Sequence, residues 1–217
     1  MSAPRRPRSR LLAAALLCAG ASAAACGLQV PDGNAVVPVP FAVSDQFTAS
    51  GFMGDGATPG VVTLHVDDAA CRPRPAGAVG SCYAFVYTAP ASGGLGWAGV
   101  VWQSPVDNWG QLPGKPIAPG ATQVTFQAAT DTGALAVDFR AGGLMGGTDP
   151  VSGVPYPYGD TFAADATVTP ATALGAAQVP FPAATSYDRV LGGFAWSAQL
   201  SPGATATLYL DDIRWAP

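Results

Sequence analysis

Beyond residue 40 the chain alternates apolar and polar positions in short runs, separated by turns rich in glycine and proline. Residues 61–67 set Val62, Leu64 and Val66 against Thr63, His65 and Asp67. Residues 82–88 bring Tyr83, Phe85 and Tyr87 to one side. Residues 121–128 oppose Val124 and Phe126 to Gln123, Thr125 and Gln127, and residues 133–141 oppose Leu135, Val137 and Phe139 to Asp138 and Arg140. A repeat of two is the period of a β-strand with one face packed inward and the other outward. Further strand signals cover 97–103, 161–169, 190–198 and 204–215. No window carries the spacing of an amphipathic helix. The pattern predicts an all-β chain: a single β-sandwich, a jelly roll of about eight or nine antiparallel strands over residues 41–217.

The stretch WAGVVWQSPVDNWGQLPG, residues 97–114, holds three of the five tryptophans. Alternation places Ala98, Val100 and Trp102 on one face and Trp97, Gly99, Val101 and Gln103 on the other. The wholly apolar face is the one to bury, so Trp102 is assigned to the core. Trp97 shares the opposite face with Gln103, beside a glycine that leaves the backbone accessible. Trp109 falls in the loop DNWG. Tyr156 and Tyr158 fall in VPYPYGD, a loop stiffened by prolines.

The amino terminus changes the picture of where this domain works. Residues 1–10 carry four arginines and no acid, residues 11–17 are apolar, and small residues follow to position 25. This is the pattern of a secretory signal peptide over residues 1–25, too short and alanine-rich for a retained membrane span. Ala23-Ala24-Ala25-Cys26 resembles a bacterial lipobox, with Ala23 standing where leucine is usual. Lipidation at Cys26 would anchor the chain in the cell envelope, and ordinary cleavage at an A-x-A site would release it. Residues 26–40, with three prolines and no sustained period, read as a tether.

After residue 25, six basic residues (Arg72, Arg74, Lys115, Arg140, Arg189 and Arg214) meet fourteen aspartates, a net of −8, and the chain has no glutamate. That balance disfavours nucleic acid and anionic membrane surfaces, both of which require a basic patch. Membrane contact is expected only through a lipid at Cys26. Cys71 and Cys82 bracket RPRPAGAVGS; in an oxidising compartment they make a disulfide worth roughly 2–3 kcal/mol. Two free thiols are the alternative, since two cysteines and a lone His65 do not complete a zinc site.

Several segments together resemble the galactose-binding-like β-sandwiches, the jelly-roll fold of many carbohydrate-binding modules. They are SDQF (44–47), SGFMGDG (50–56), WAGVVWQ, NWG, VTFQA, AVDFRAGG and the closing YLDDIRW (209–215). The resemblance implies a structural Ca²⁺ between an N-terminal segment and the last strand. The matching positions are Asp45 or Asp55, with Asp211 or Asp212. Independently, the apolar phase of Ala206, Leu208 and Leu210 slips at Asp211-Asp212, which predicts a bulge able to turn oxygens toward a hard cation.

On such a sheet an exposed ring stacks on the apolar face of a pyranose while amides and carboxylates bond its hydroxyls. The polar-face candidates for a glycan or polysaccharide ligand are Trp97, Gln103, Gln123, Gln127, Asp138 and Arg140, if their strands are neighbours. The loop candidates are Trp109, Tyr156 and Tyr158. Catalysis is not expected. A glycosidase would need two paired aspartates, and His65 stands near no nucleophile motif. The alternative to sugar binding is an envelope module that is structural or contacts another protein.

Overall fold

Every segment with a period of two becomes a strand in the computed structural model, which describes residues 34–55 and 60–217. In chain order the strands are β1 (Phe41–Ala42), β2 (Thr48–Gly54), β3 (Val61–Val66), β4 (Tyr83–Thr88), β5 (Trp97–Gln103), β6 (Lys115–Pro116) and β7 (Gln123–Thr130). They continue with β8 (Val137–Gly142), β9 (Ala163–Val168), β10 (Gly175–Pro180), β11 (Arg189–Val190), β12 (Gly192–Gln199) and β13 (Thr205–Ala216). One sheet has the order β10-β7-β13-β4-β3, with β1 beside β13. The other has the order β2-β5-β12-β8-β9, and β6 and β11 form a separate ribbon. All these ladders are antiparallel.

The two sheets pack face to face through aromatic rings on their apolar phases. Phe85 of β4 lies 5.5 Å from Trp102 of β5 and 5.2 Å from Trp196 of β12. Phe126 of β7 lies 4.5 Å from Phe139 of β8 and 5.1 Å from Phe194 of β12. Trp102 is fully buried, as alternation requires. Tilted and edge-on ring pairs of this kind add about 0.5–1.5 kcal/mol each beyond the area they bury. Burial pushes the Tyr83 hydroxyl up from its ordinary pKa, against hydrogen bonding from Trp102 and Ser81. A second ring cluster closes the sandwich at its chain ends: Trp215 contacts Phe41, Phe162, Phe181 and Tyr187, and its Nε1 donates to Gly193 O at 2.7 Å.

Three expectations need adjusting or placing. Ten strands have six or more residues. β2 and β10 escaped the alternation reading: β2 carries three glycines or serines in seven positions, and β10 buries little beyond Val179. The tether does not extend to residue 40. Val37 is buried in the core, donates to Pro116 O at 2.9 Å and accepts from Ala118 N at 2.8 Å, so the domain begins before it. The signal segment 1–25 and Cys26 lie outside the described residues.

The bulge at the end of β13 is present. Its register with β7 shifts between Asp211 and Arg214, and Asp212 has φ 53. Cys71 and Cys82 are joined in a disulfide. The loop it closes is fastened over the outer side of β13. Arg74 clamps Asp211 through Nε and Nη2 at 2.7–3.1 Å, Arg214 bonds Asp212 at 2.6–2.7 Å, and Arg72 lies 4.3 Å over the Tyr209 ring.

Candidate functional site

The outward phases of the β2-β5-β12-β8-β9 sheet build one continuous surface from five strands. Register puts Met53, Gly99, Ser197, Asp138 and Thr167 in one row across the sheet. The adjacent row is Gly51, Val101, Ala195, Arg140 and Asp165. At the end of β5, Trp97 stands opposite Gln199 of β12. In the first row the small Gly99 and Ser197 lie between Met53 on one side and Asp138 and Thr167 on the other, which makes that row a trough. Gly99 keeps its floor low: a Cβ there would come within 2.6 Å of Trp196 O and 3.1 Å of Met53 Cε.

Around Trp97 opens a cleft of about 850 Å³, lined by Trp97, Asp138, Thr167, Ser197 and Gln199 on this sheet and otherwise by the connections 132–136 and 200–204 and the start of β13 at the end of the sandwich. Asp138 and Ser197 also border a smaller depression of about 90 Å³ that reaches Met53, Val101 and Arg140. Asp138 and Ser197 thus face both. Asp138 and Arg140 are exposed, and Trp97 is partly exposed. Asp138 Oδ1 accepts from Thr167 Oγ1 at 2.5 Å, which fixes the carboxylate and leaves its second oxygen for a ligand. The start of β5 is pinned by Asp55, whose Oδ2 accepts from Gly96 N at 2.6 Å and Trp97 N at 3.2 Å. Gln199 Nε2 donates to Leu95 O and braces the same corner.

The loop candidates gather at the opposite end. Gly147 N donates to Trp109 O at 2.7 Å, Tyr156 N to Gly147 O at 2.9 Å and Tyr158 N to Gly110 O at 3.2 Å. The loops 104–114 and 143–160 thus form one unit carrying Trp109, Tyr156 and Tyr158. Gly110, at φ +114, is required there, because a Cβ would lie 2.4 Å from Tyr158 O. Two buried side chains that the sequence did not single out hold this unit. Asn108 bonds Ser104 O and Leu112 O through Nδ2, and accepts from Gly110 N and Leu112 N. Asp160 accepts from Leu191 N at 2.6 Å, Leu144 N at 3.0 Å and Gly192 N at 3.2 Å. Burial pushes the Asp160 carboxyl up to about 6, against those three backbone donors. Asn108 lay within the quoted DNWG, where an Asx-type scaffold was a legible signal.

Of the predicted polar-face set, the structure brings together Trp97, Asp138 and Arg140. Gln103 is not on an accessible face: it is 1% exposed, accepts from Ser50 Oγ at 3.0 Å and donates to Asn108 O at 3.1 Å. The amide is consumed in tying β5 to the following loop. Gln123 and Gln127 sit on β7, in the other sheet, with Gln123 Nε2 donating to Pro217 O. Alternation assigns faces within a strand, not the sheet to which the strand belongs.

Of the aspartates proposed for calcium, Asp211 and Asp212 are engaged within the chain. Both oxygens of Asp211, 1% exposed, accept from Arg74, and Asp212 Oδ1 accepts from Arg214 and from Val79 N at 2.8 Å. The bond to Asp211 in turn raises the pKa of Arg74. Asp55 serves the start of β5, and Asp45 is exposed in the single 3-10 turn Val43–Asp45. Among the described residues no three acidic, histidine or cysteine side chains are grouped to hold a metal.

No family model matches the chain, and no curated protein sequence matches it. Among solved structures it is similar to the family 11 carbohydrate-binding module of a cellulosomal cellulase of Clostridium thermocellum. The identity is 14%, over 84% of this chain and 96% of that one, with a TM-score of 0.42. The Clostridium thermocellum family 11 module in complex with a β-1,3-1,4-mixed-linked tetrasaccharide gives 14% identity, 76% and 87% coverage and a TM-score of 0.39. A family 30 carbohydrate-binding module gives 12% identity, 82% and 89% coverage and a TM-score of 0.44.

Proposed function

We propose that this domain binds a glycan or polysaccharide, without catalysis, along the trough on the outer face of the β2-β5-β12-β8-β9 sheet. One observation carries the reading. Trp97 is held at the edge of an open cleft that Asp138 and Thr167 also line, with Arg140 in the adjacent row of the same sheet face. An indole beside a low floor accepts the apolar face of a pyranose, and the polar row meets its hydroxyls. Isothermal titration against a panel of soluble polysaccharides tests this, with Trp97→Ala as the control. Binding by the native chain that weakens in the variant is the expected result; absence of binding across the panel removes the reading.

The reading extends to location. The chain is exported, its signal peptide removed, and Cys26 is lipidated to hold the domain in the cell envelope. Metabolic labelling with a palmitate analogue should tag the native chain and leave Cys26→Ser unlabelled; equal labelling of both would contradict the anchor.

A second reading draws on the loop unit at the other end, where the segment 143–160 carries Met145 (78% exposed), Val151 (96%) and Val154 (60%). Apolar exposure on one loop unit suits contact with another protein.

A further inference from the structure

The two sheets run out together at both sides of the sandwich, and the two sides end differently. β9 and β10 lie against each other and close one side. β2 and β3 end the other, beyond the facing strands β4 and β5 with their Phe85–Trp102 ring contact, and they do not close up in the same way. Phe52 of β2 stands opposite Val100, and Val62, Leu64 and Val66 of β3 stand opposite Tyr87, Phe85 and Tyr83. Those four opposite residues are buried, so Phe52, Val62, Leu64 and Val66 belong to the inward phase. Yet Phe52 is 48% and Val66 43% exposed, and Val62 and Leu64 are only partly buried. The core layer is open along this side.

The outer edge of β3 is ready to pair. Asp67 N donates to Cys82 O at 3.1 Å, one step past the opposed pair Val66 and Tyr83, so Asp67, His65, Thr63 and Val61 turn their backbone groups to β4. Val62, Leu64 and Val66 therefore aim theirs away from β4, and among the described residues no strand pairs with them. The other outer strands carry features that discourage pairing: a bulge between Ala49 and Gly51 in β2, the exposed Asp165 in β9, and Pro180 in β10. β3, VVTLHV, has no bulge against β4, no proline, no lysine and no acid.

We infer that β3 is a dimerisation edge, and that its occupant is β3 of a second copy of this chain, antiparallel about a two-fold axis through Leu64. The strand is complementary to itself in that register. Leu64 meets its own counterpart and Val62 meets Val66, the positions whose backbone groups point outward, so each pair exchanges two hydrogen bonds. On the other face Thr63 meets His65, and Asp67 meets Val61, so no like charges are opposed. Pairing residues of the same phase keeps the inward faces of both copies on one side and gathers Phe52, Val62 and Val66 of each into one apolar layer. The axis is then perpendicular to the sheet, and the outer faces of the two β2-β5-β12-β8-β9 sheets look the same way. A short strand pair with this apolar layer makes a reversible dimer.

Sedimentation equilibrium of the full exported chain, carrying Cys26→Ser so that no lipid drives association, tests the inference. The native edge should give a monomer–dimer equilibrium, and Val66→Lys, at an already exposed position, should weaken it about tenfold with the fold retained. Val151→Lys, on the loop 143–160, should leave it unchanged. Oxidative cross-linking reads the register: Leu64→Cys should form a covalent dimer, because opposed Cα atoms of a hydrogen-bonded pair lie about 5.5 Å apart, within disulfide reach. Thr63→Cys, offset from its own counterpart, should stay monomeric under the same oxidation. A monomer at every concentration leaves the edge to a strand of another protein and overturns the inference. So does a dimer that Val151→Lys weakens and Val66→Lys does not, or cross-linking through Thr63→Cys in place of Leu64→Cys.

Discussion

Trp97 shows what a single residue's surroundings decide. Its indole shares a sequence segment with two other tryptophans, but only its position combines partial exposure, a pinned backbone and a low neighbouring floor. Trp102, five residues on, is fully buried against Phe85 and Tyr83. Asp160 is the other instructive residue. Its folded carboxyl titrates near 6, above the value of about 4 expected for the unfolded chain. Between those values the folded state holds more protons than the unfolded one, so stability falls as pH rises from about 4 to 6 and levels off above. That group alone contributes a fall of about 3 kcal/mol. Denaturation of the native chain and of Asp160→Asn across this range measures it. The stability of the native chain relative to the variant should decline with pH; an advantage that grows with pH would mean that the three backbone donors dominate over burial.

At the scale of elements, the loop closed by Cys71 and Cys82 and the bulged end of β13 act together. The bulge turns Asp211 and Asp212 outward from the strand's apolar phase, and the loop delivers Arg74 to meet the buried one. Replacing Arg74 with Met leaves the Asp211 carboxylate without a counter-charge. The expected loss is about 1–3 kcal/mol in urea denaturation, below the 3–5 typical of a fully buried pair because Arg74 remains partly exposed. Since arginines occupy these carboxylates, EDTA should leave the melting temperature of the native chain unchanged. A fall that calcium restores would show that a cation site has been overlooked. Most strands, the core assignment of Trp102, the disulfide and the bulge were legible in the sequence, because each follows from local period or spacing; β2 and β10 lack that period. What was not legible depended on pairing between distant strands: that β7 joins the other sheet, so Gln123 and Gln127 part from Asp138, and that Gln103 meets Ser50 and Asn108 rather than solvent. The arginine clasp was hidden for the same reason, since Arg74 lies 137 residues from Asp211.

For the whole molecule, the sandwich divides its labour between its two outer faces. One carries the disulfide-closed loop fastened on β13; the other is an open trough with Trp97 at one end and the loops of Trp109, Tyr156 and Tyr158 gathered beyond the other. That division is the central claim, and affinity measured on both faces tests it most directly. With a polysaccharide that the native chain binds, Trp97→Ala should weaken binding by about twofold to twelvefold, the worth of one stacked ring. Gln127→Ala, on the opposite sheet, should bind as the native chain does. Equal weakening in both variants, or weakening in Gln127→Ala alone, would contradict the assignment of the ligand to the trough.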